Sequence, residues 1–225
     1  LRSIIKKLLI VSIFCTSSTN WAKIRDILPT GLQLDIDVSR PLYYLWKEKT
    51  GIQYELHTSL NFNRILLEGD YGWGTILRKN PPDKMTALAE NIGQYFRIGL
   101  SYNFIKNSVD HNAAFLGARY GQAYFRDYLY GKLEGGETID RNDKMHAHWL
   151  EIVAGVRVKV WEWIYTGCTV RYKFAKKVSA INKLNPFDII GWGMNEDDAF
   201  GANLYIGIRI PLQANTPIQL GVNDK

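Results

Sequence analysis

The stretch HWLEIVAGVRVKVWEWIYTGCTVRYKF, residues 148–174, alternates with period two on both sides of a turn at Trp161, Glu162 and Trp163. On the first arm Leu150, Ile152, Ala154, Val156, Val158 and Val160 interleave with Glu151, Val153, Gly155, Arg157 and Lys159. On the second, Ile164, Thr166, Cys168, Val170, Tyr172 and Phe174 interleave with Tyr165, Gly167, Thr169, Arg171 and Lys173. Successive side chains of a strand point to opposite faces, so this pattern predicts a β-hairpin. Each arm exceeds the ~5–6 residues of a typical soluble strand and reaches the ~9–11 that a tilted strand needs to cross a bilayer. The hairpin is therefore expected to belong to a transmembrane β-barrel.

The same alternation recurs outward from it. Strands are expected at 31–41, 51–63, 65–74, 94–105, 112–125 and 199–211, which with the two arms at 148–160 and 164–174 make eight. Pro41 is expected to end the first strand. A connection rich in aromatics and lysine follows it, and a tight turn lies at Asn63 and Arg64. The segments 75–92 (with Pro81 and Pro82), 126–146 (with Gly135 and Gly136) and 175–198 are expected as loops. An even strand number with short turns alternating with long loops is the rhythm of an all-β, eight-stranded antiparallel up-and-down outer-membrane barrel.

A soluble barrel also alternates, but it turns its apolar set inward. Here the polar set combines glycine with arginine: Arg97 and Gly99, Gly117 and Arg119, Gly155 and Arg157, Gly167 and Arg171, Gly207 and Arg209. A solvated face favours neither, because glycine weakens strands. A narrow lumen does favour the combination, since each guanidinium fork needs small neighbours and carboxylates to pair with. Asp35, Asp37, Glu55, Glu68, Asp70 and Glu151 share that parity. The expected interior is thus a charge lattice of these six acids with Arg97, Arg119, Arg157, Arg171 and Arg209. Tyr54, Tyr71, Trp73, Tyr172, Phe174 and Phe200 are expected to form one interfacial aromatic girdle, and Phe62, Tyr102 and Phe104 the other.

At the N-terminus, Arg2, Lys6 and Lys7 precede the apolar run 8–14, and small polar residues lead to Ala22. This is the layout of a secretory signal peptide, expected at 1–22, with the barrel at 23–212 and a tail at 213–225. Because 1–22 holds three basic residues and no acid, its removal lowers the net charge from +6 to +3. So small and diffuse a surplus is no nucleic-acid footprint. Only Cys168 would remain of the two cysteines, which excludes an intrachain disulfide in the mature chain.

The stretches 31–42, 94–104, 153–174 and 205–212 resemble an uncharacterised Bacteroidota family of outer-membrane β-barrels. The resemblance implies fold and outer-membrane location and carries no functional residue across.

Candidate chemistry is sparse. Glu55, His57 and Ser59 have the residue types of a hydrolytic triad, but neighbours two apart on one strand face are separated by roughly 6.5–7 Å. His146 and His148 have a ligand-like spacing without a nearby third ligand, and Glu196, Asp197 and Asp198 lack the spacing of a calcium loop. No nucleotide, phosphate-loop or Cys–His motif occurs, so no catalytic residue, metal or cofactor is expected. The expected partners are outer-membrane lipid and an extracellular or periplasmic protein, in a structural, adhesive or partner-binding role. An enzyme working at the lipid interface and a narrow pore stay open as alternatives.

Overall fold

The computed structural model describes residues 28–46, 51–79, 86–105, 110–132, 138–179 and 185–213. The expected signal segment at 1–22 and positions 214–225 of the expected tail lie outside these residues. Eight strands close into a ring: β1 (Gly31–Asp37), β2 (Gln53–Phe62), β3 (Ile65–Lys79), β4 (Thr86–Asn103), β5 (Ala113–Lys132), β6 (Thr138–Lys159), β7 (Ile164–Ser179) and β10 (Ala199–Pro211). Each is antiparallel to its sequence neighbour, and β1 closes on β10 through pairs such as Leu32 with Ile210. A two-stranded ribbon of β8 (Asp188–Ile189) and β9 (Gly193–Met194) interrupts the last connection, and a short helix, α1 (Ser39–Trp46), the first.

The barrel is inside-out compared with one that dissolves in water. Arg97, Arg119, Glu68 and Glu151 are each 1–2% exposed, whereas Ile36, Leu100, Val170 and Leu116 are 48–61% exposed. An apolar belt around a polar interior is stable only against lipid, so this is an eight-stranded antiparallel up-and-down transmembrane β-barrel. Among the described residues no helix is long and apolar enough to cross a membrane. Aromatic rings flank the belt: Trp73 lies 5.7 Å from Tyr54 and 5.5 Å from Tyr71, and Tyr172 lies 5.2 Å from Phe200 at one level. Tyr102 and Phe104 meet edge-on at 5.3 Å at the other.

Several expected boundaries are corrected. Pro41 does not end the strand; it lies in the first turn of α1, where the missing N–H costs no intrahelical bond. Asp37 holds the start of that helix, its carboxylate accepting from the Ser39 amide at 2.8 Å. The expected loops 75–92 and 126–146 are mostly strand, with Lys79 paired to Leu88 and Lys132 to Thr138. Strand β7 also runs on to Ser179, past a bulge in which Ala175 has φ 54°. The alternation in these extensions is real, but both faces mix polar and apolar residues, with Asn91, Asp127 and Arg141 also buried inside. On β5, Phe125 and Leu129 are buried inside while Arg126 and Tyr130 are exposed outside. A strand that leaves the bilayer exchanges lipid for water on its outer face, so the signal that marks its lower half fades in its upper half.

Candidate functional site

Seen along its axis, the barrel has three levels: a charged middle, an apolar upper core, and a polar mouth at the end bearing the 63–64 and 161–163 turns. The middle is built by inward parity from all eight barrel strands. Glu55 of β2 lies 2.5 Å from Arg97 Nη2 and 3.5 Å from Arg171 Nη1, and accepts from Tyr205 at 2.7 Å. Asp70 of β3 lies 3.0 Å from Arg97 Nε and 2.7 Å from Arg119 Nη1. Glu68 lies 3.0 Å from Arg119 Nη2, and Glu151 accepts from the Trp149 indole at 2.6 Å while facing Arg97 at 3.7 Å. Asp37 joins through Asn203 and, at 3.4 Å, Arg40. Asp35 accepts from Gln33 at 2.5 Å. Nine of the eleven residues expected in the interior lattice thus occupy one connected set.

The other two do not. Arg157 and Arg209 are buried nearer the short-turn end, and neither has a carboxylate oxygen within 4.0 Å among the described residues. The expectation that each interior arginine pairs with an acid is therefore corrected for these two: parity places them inside, but the acids sit higher up the lumen, and the groups at their own level are Asn61 and the Thr30 carbonyl.

Nor does the trio of Glu55, His57 and Ser59 assemble. His57 Nδ1 pairs with Asp70 at 2.5 Å, and Ser59 donates to Asn61 at 3.1 Å. His146 and His148 face outward beside the rings of Tyr124 and Tyr120. Glu196 lies at the edge of the last connection, its carbonyl accepting from Lys176.

Sequence reading missed the upper core. Its lining comes from Tyr95, Ala123, Phe125, Met145, Ala147 and Trp149, and its filling from Ile189, Ile190 and Trp192 of the 185–198 segment. That segment, expected as an open loop, folds into the barrel. Gly191 at φ 80° turns it where a side chain would strike the Tyr95 ring. Lys173 donates upward to the carbonyls of Gly191 and Trp192 at 2.9 and 2.6 Å, and Asn91 donates to the Asp188 carbonyl at 2.9 Å. Lys173 shares the parity of Arg171, so its burial was legible; the three apolar residues of the plug carry no strand periodicity that would have pointed to them.

Above the girdle, β3 to β7 rise as a wall. Its outer face on β5 carries Tyr124, Arg126, Tyr128, Tyr130 and Lys132, beside Lys144 on β6. Near the tip, Lys79, Leu88, Tyr130, Lys132 and Thr138 line a cleft of about 430 Å³.

Residues 1–215 match the family described as domain of unknown function DUF6048. The chain belongs to that family. The DUF6048 chain is also similar to solved structures of two small barrels. Against Ail, the attachment invasion locus protein of Yersinia pestis, identity is 14% and the TM-score 0.39, over 81% of this chain and 100% of that one. Ail in complex with the heparin analogue sucrose octasulfate gives 15% and 0.36, over 80% and 94%. Neisserial surface protein A gives 14% and 0.32, over 80% and 96%. No curated protein matches the DUF6048 chain.

Proposed function

We propose that this protein is an outer-membrane barrel that binds an extracellular partner through the outer face of its projecting strands. Residues 1–22 serve as the cleaved export signal, 23–212 as the barrel and 213–225 as a tail. The observation that carries the proposal is the projecting wall of β3 to β7. Its inner face is locked by the plug, and its outer face presents tyrosines with arginine and lysine. Tyrosine and arginine are the residue types that dominate binding hot spots, because they bring large contact area and directed donors at little entropic cost. The filled lumen supports a binding role over transport. The charge lattice serves to hold the barrel wall in one shape, which keeps the wall above it in register.

A photo-activatable cross-linker placed at Tyr130 tests this on intact cells, with Leu100 on the lipid belt as control. A discrete cross-linked species at 130 that Tyr128→Ala weakens is expected. Cross-links at 130 no more specific than at 100 would reject the proposal.

A further inference from the structure

Arg157 of β6 and Arg209 of β10 are 6% and 7% exposed. Their only described side-chain hydrogen bonds are long ones, at 3.4 Å to the Asn61 side chain and 3.4 Å to the Thr30 carbonyl. The Nε atoms of both, and Nη1 of Arg209, are buried without an acceptor. Nitrogens of Arg97 are likewise buried without a well-aligned acceptor, but that guanidinium meets three carboxylates, which these two do not. Asp35 and Glu68 act on Arg157 only from beyond contact distance, and burying a guanidinium without a counter-charge in contact is costly, so two such groups in one place call for a ligand that supplies the charge.

The two arginines share a cavity of about 220 Å³ with Asn61, Asn103 and His111 at the short-turn end. The field inside is positive. Burial pushes the His111 imidazole below its ordinary range, and Arg209, Lys159 and Arg157 push it further the same way against a smaller opposite pull from Asp110. Gly31 completes the seat: a Cβ there would lie 2.6 Å from the Arg209 guanidinium carbon and 2.8 Å from Nη1, so the flat guanidinium rests where any side chain would displace it.

We propose that this cavity is an anion site that takes a soluble phosphate group, held between the Arg157 and Arg209 forks with His111 as a third donor. Guanidinium forks match oxyanions bidentately, and two of them balance a dianion, whereas a single carboxylate would leave one uncompensated. The cavity opens inside the strand ring, so the ligand comes from the aqueous phase and not from the lipid belt.

The test uses the full chain folded in maltoside micelles, titrated with inorganic phosphate by calorimetry and by the His111 ring resonances. Saturable one-to-one binding is expected, and the His111 titration midpoint should move upward as the anion arrives. Arg157→Gln with Arg209→Gln should weaken binding by at least about tenfold. Gly31→Val should weaken it by displacing the Arg209 guanidinium from its seat, with no change to either arginine in the sequence, and Arg126→Gln on the outer wall should leave it unchanged. Absence of saturable binding by the wild-type protein would overturn the site, as would a double variant that binds like wild type. A His111 response to phosphatidylglycerol alone, with none to inorganic phosphate, would overturn the soluble source.

Discussion

Arg78 of β3 donates through Nε and Nη2 to the two carboxylate oxygens of Asp188 at 2.6 and 2.7 Å, joining the projecting wall to a segment 110 residues further along the chain. The pair fastens the plug at its outer end, while Lys173 holds it from below. Arg78 is partly solvated, so the bidentate contact is worth about 1 kcal/mol.

Asp188→Asn should therefore loosen the plug without unfolding the barrel. Hydrogen exchange at Ile189 and Ile190 should rise several-fold, while amides in the lower half of β5 keep their protection. Equal loss of protection throughout would mean that the plug and the barrel form one cooperative unit.

The face assignment is tested by three substitutions that separate lipid from lumen. Val156→Arg puts a charge near the middle of the apolar belt and should cost roughly 2–4 kcal/mol. Arg97→Leu leaves Glu55, Asp70 and Glu151 with one shared cation fewer and should cost about 3–5 kcal/mol. Arg157→Leu removes a cation that neutralises no carboxylate directly and should be much milder. Folding into lipid vesicles followed by urea unfolding ranks the three, and an Arg157→Leu variant as damaged as Arg97→Leu would contradict the lattice described here.

Interior glycines provide the space that the large lumenal side chains occupy. A Cβ on Gly121 would fall on the Trp149 indole. Gly121→Val should cost about 1–3 kcal/mol by overpacking. Trp149→Ala in the same chain should recover part of that loss, which vesicle unfolding of the single and double variants measures.

The filled middle level predicts a barrel that shifts in gel mobility between unboiled and boiled samples and that carries no steady conductance in planar bilayers. Recovery of the protein from the soluble fraction with no mobility shift would contradict the membrane assignment.

Much of this architecture was legible residue by residue. Period two located the eight barrel strands, and the company of glycine with arginine on one parity told lumen from lipid, because only a narrow interior rewards small residues beside charged forks. The upper halves of β3 to β7 were missed, since lipid no longer demands apolar side chains there and both faces become mixed, with Phe125, Asp127 and Leu129 inside and Arg126 and Tyr130 outside.

What the sequence determined by itself was local: which residues form strands, which face each side chain takes, and hence which charges lie inside. Only the tertiary structure decided which charges meet. Glu55 of β2 touches Arg97 of β4, Arg171 of β7 and Tyr205 of β10, contacts set by the stagger at which the ring closes and by the width of its lumen. The same closure leaves Arg157 and Arg209 below the acids, and it opens a space above them that Trp192 fills. Strand periodicity reports a direction perpendicular to the sheet and carries no information about height along the barrel axis or distance across it. Those two coordinates decide whether a buried charge finds its partner.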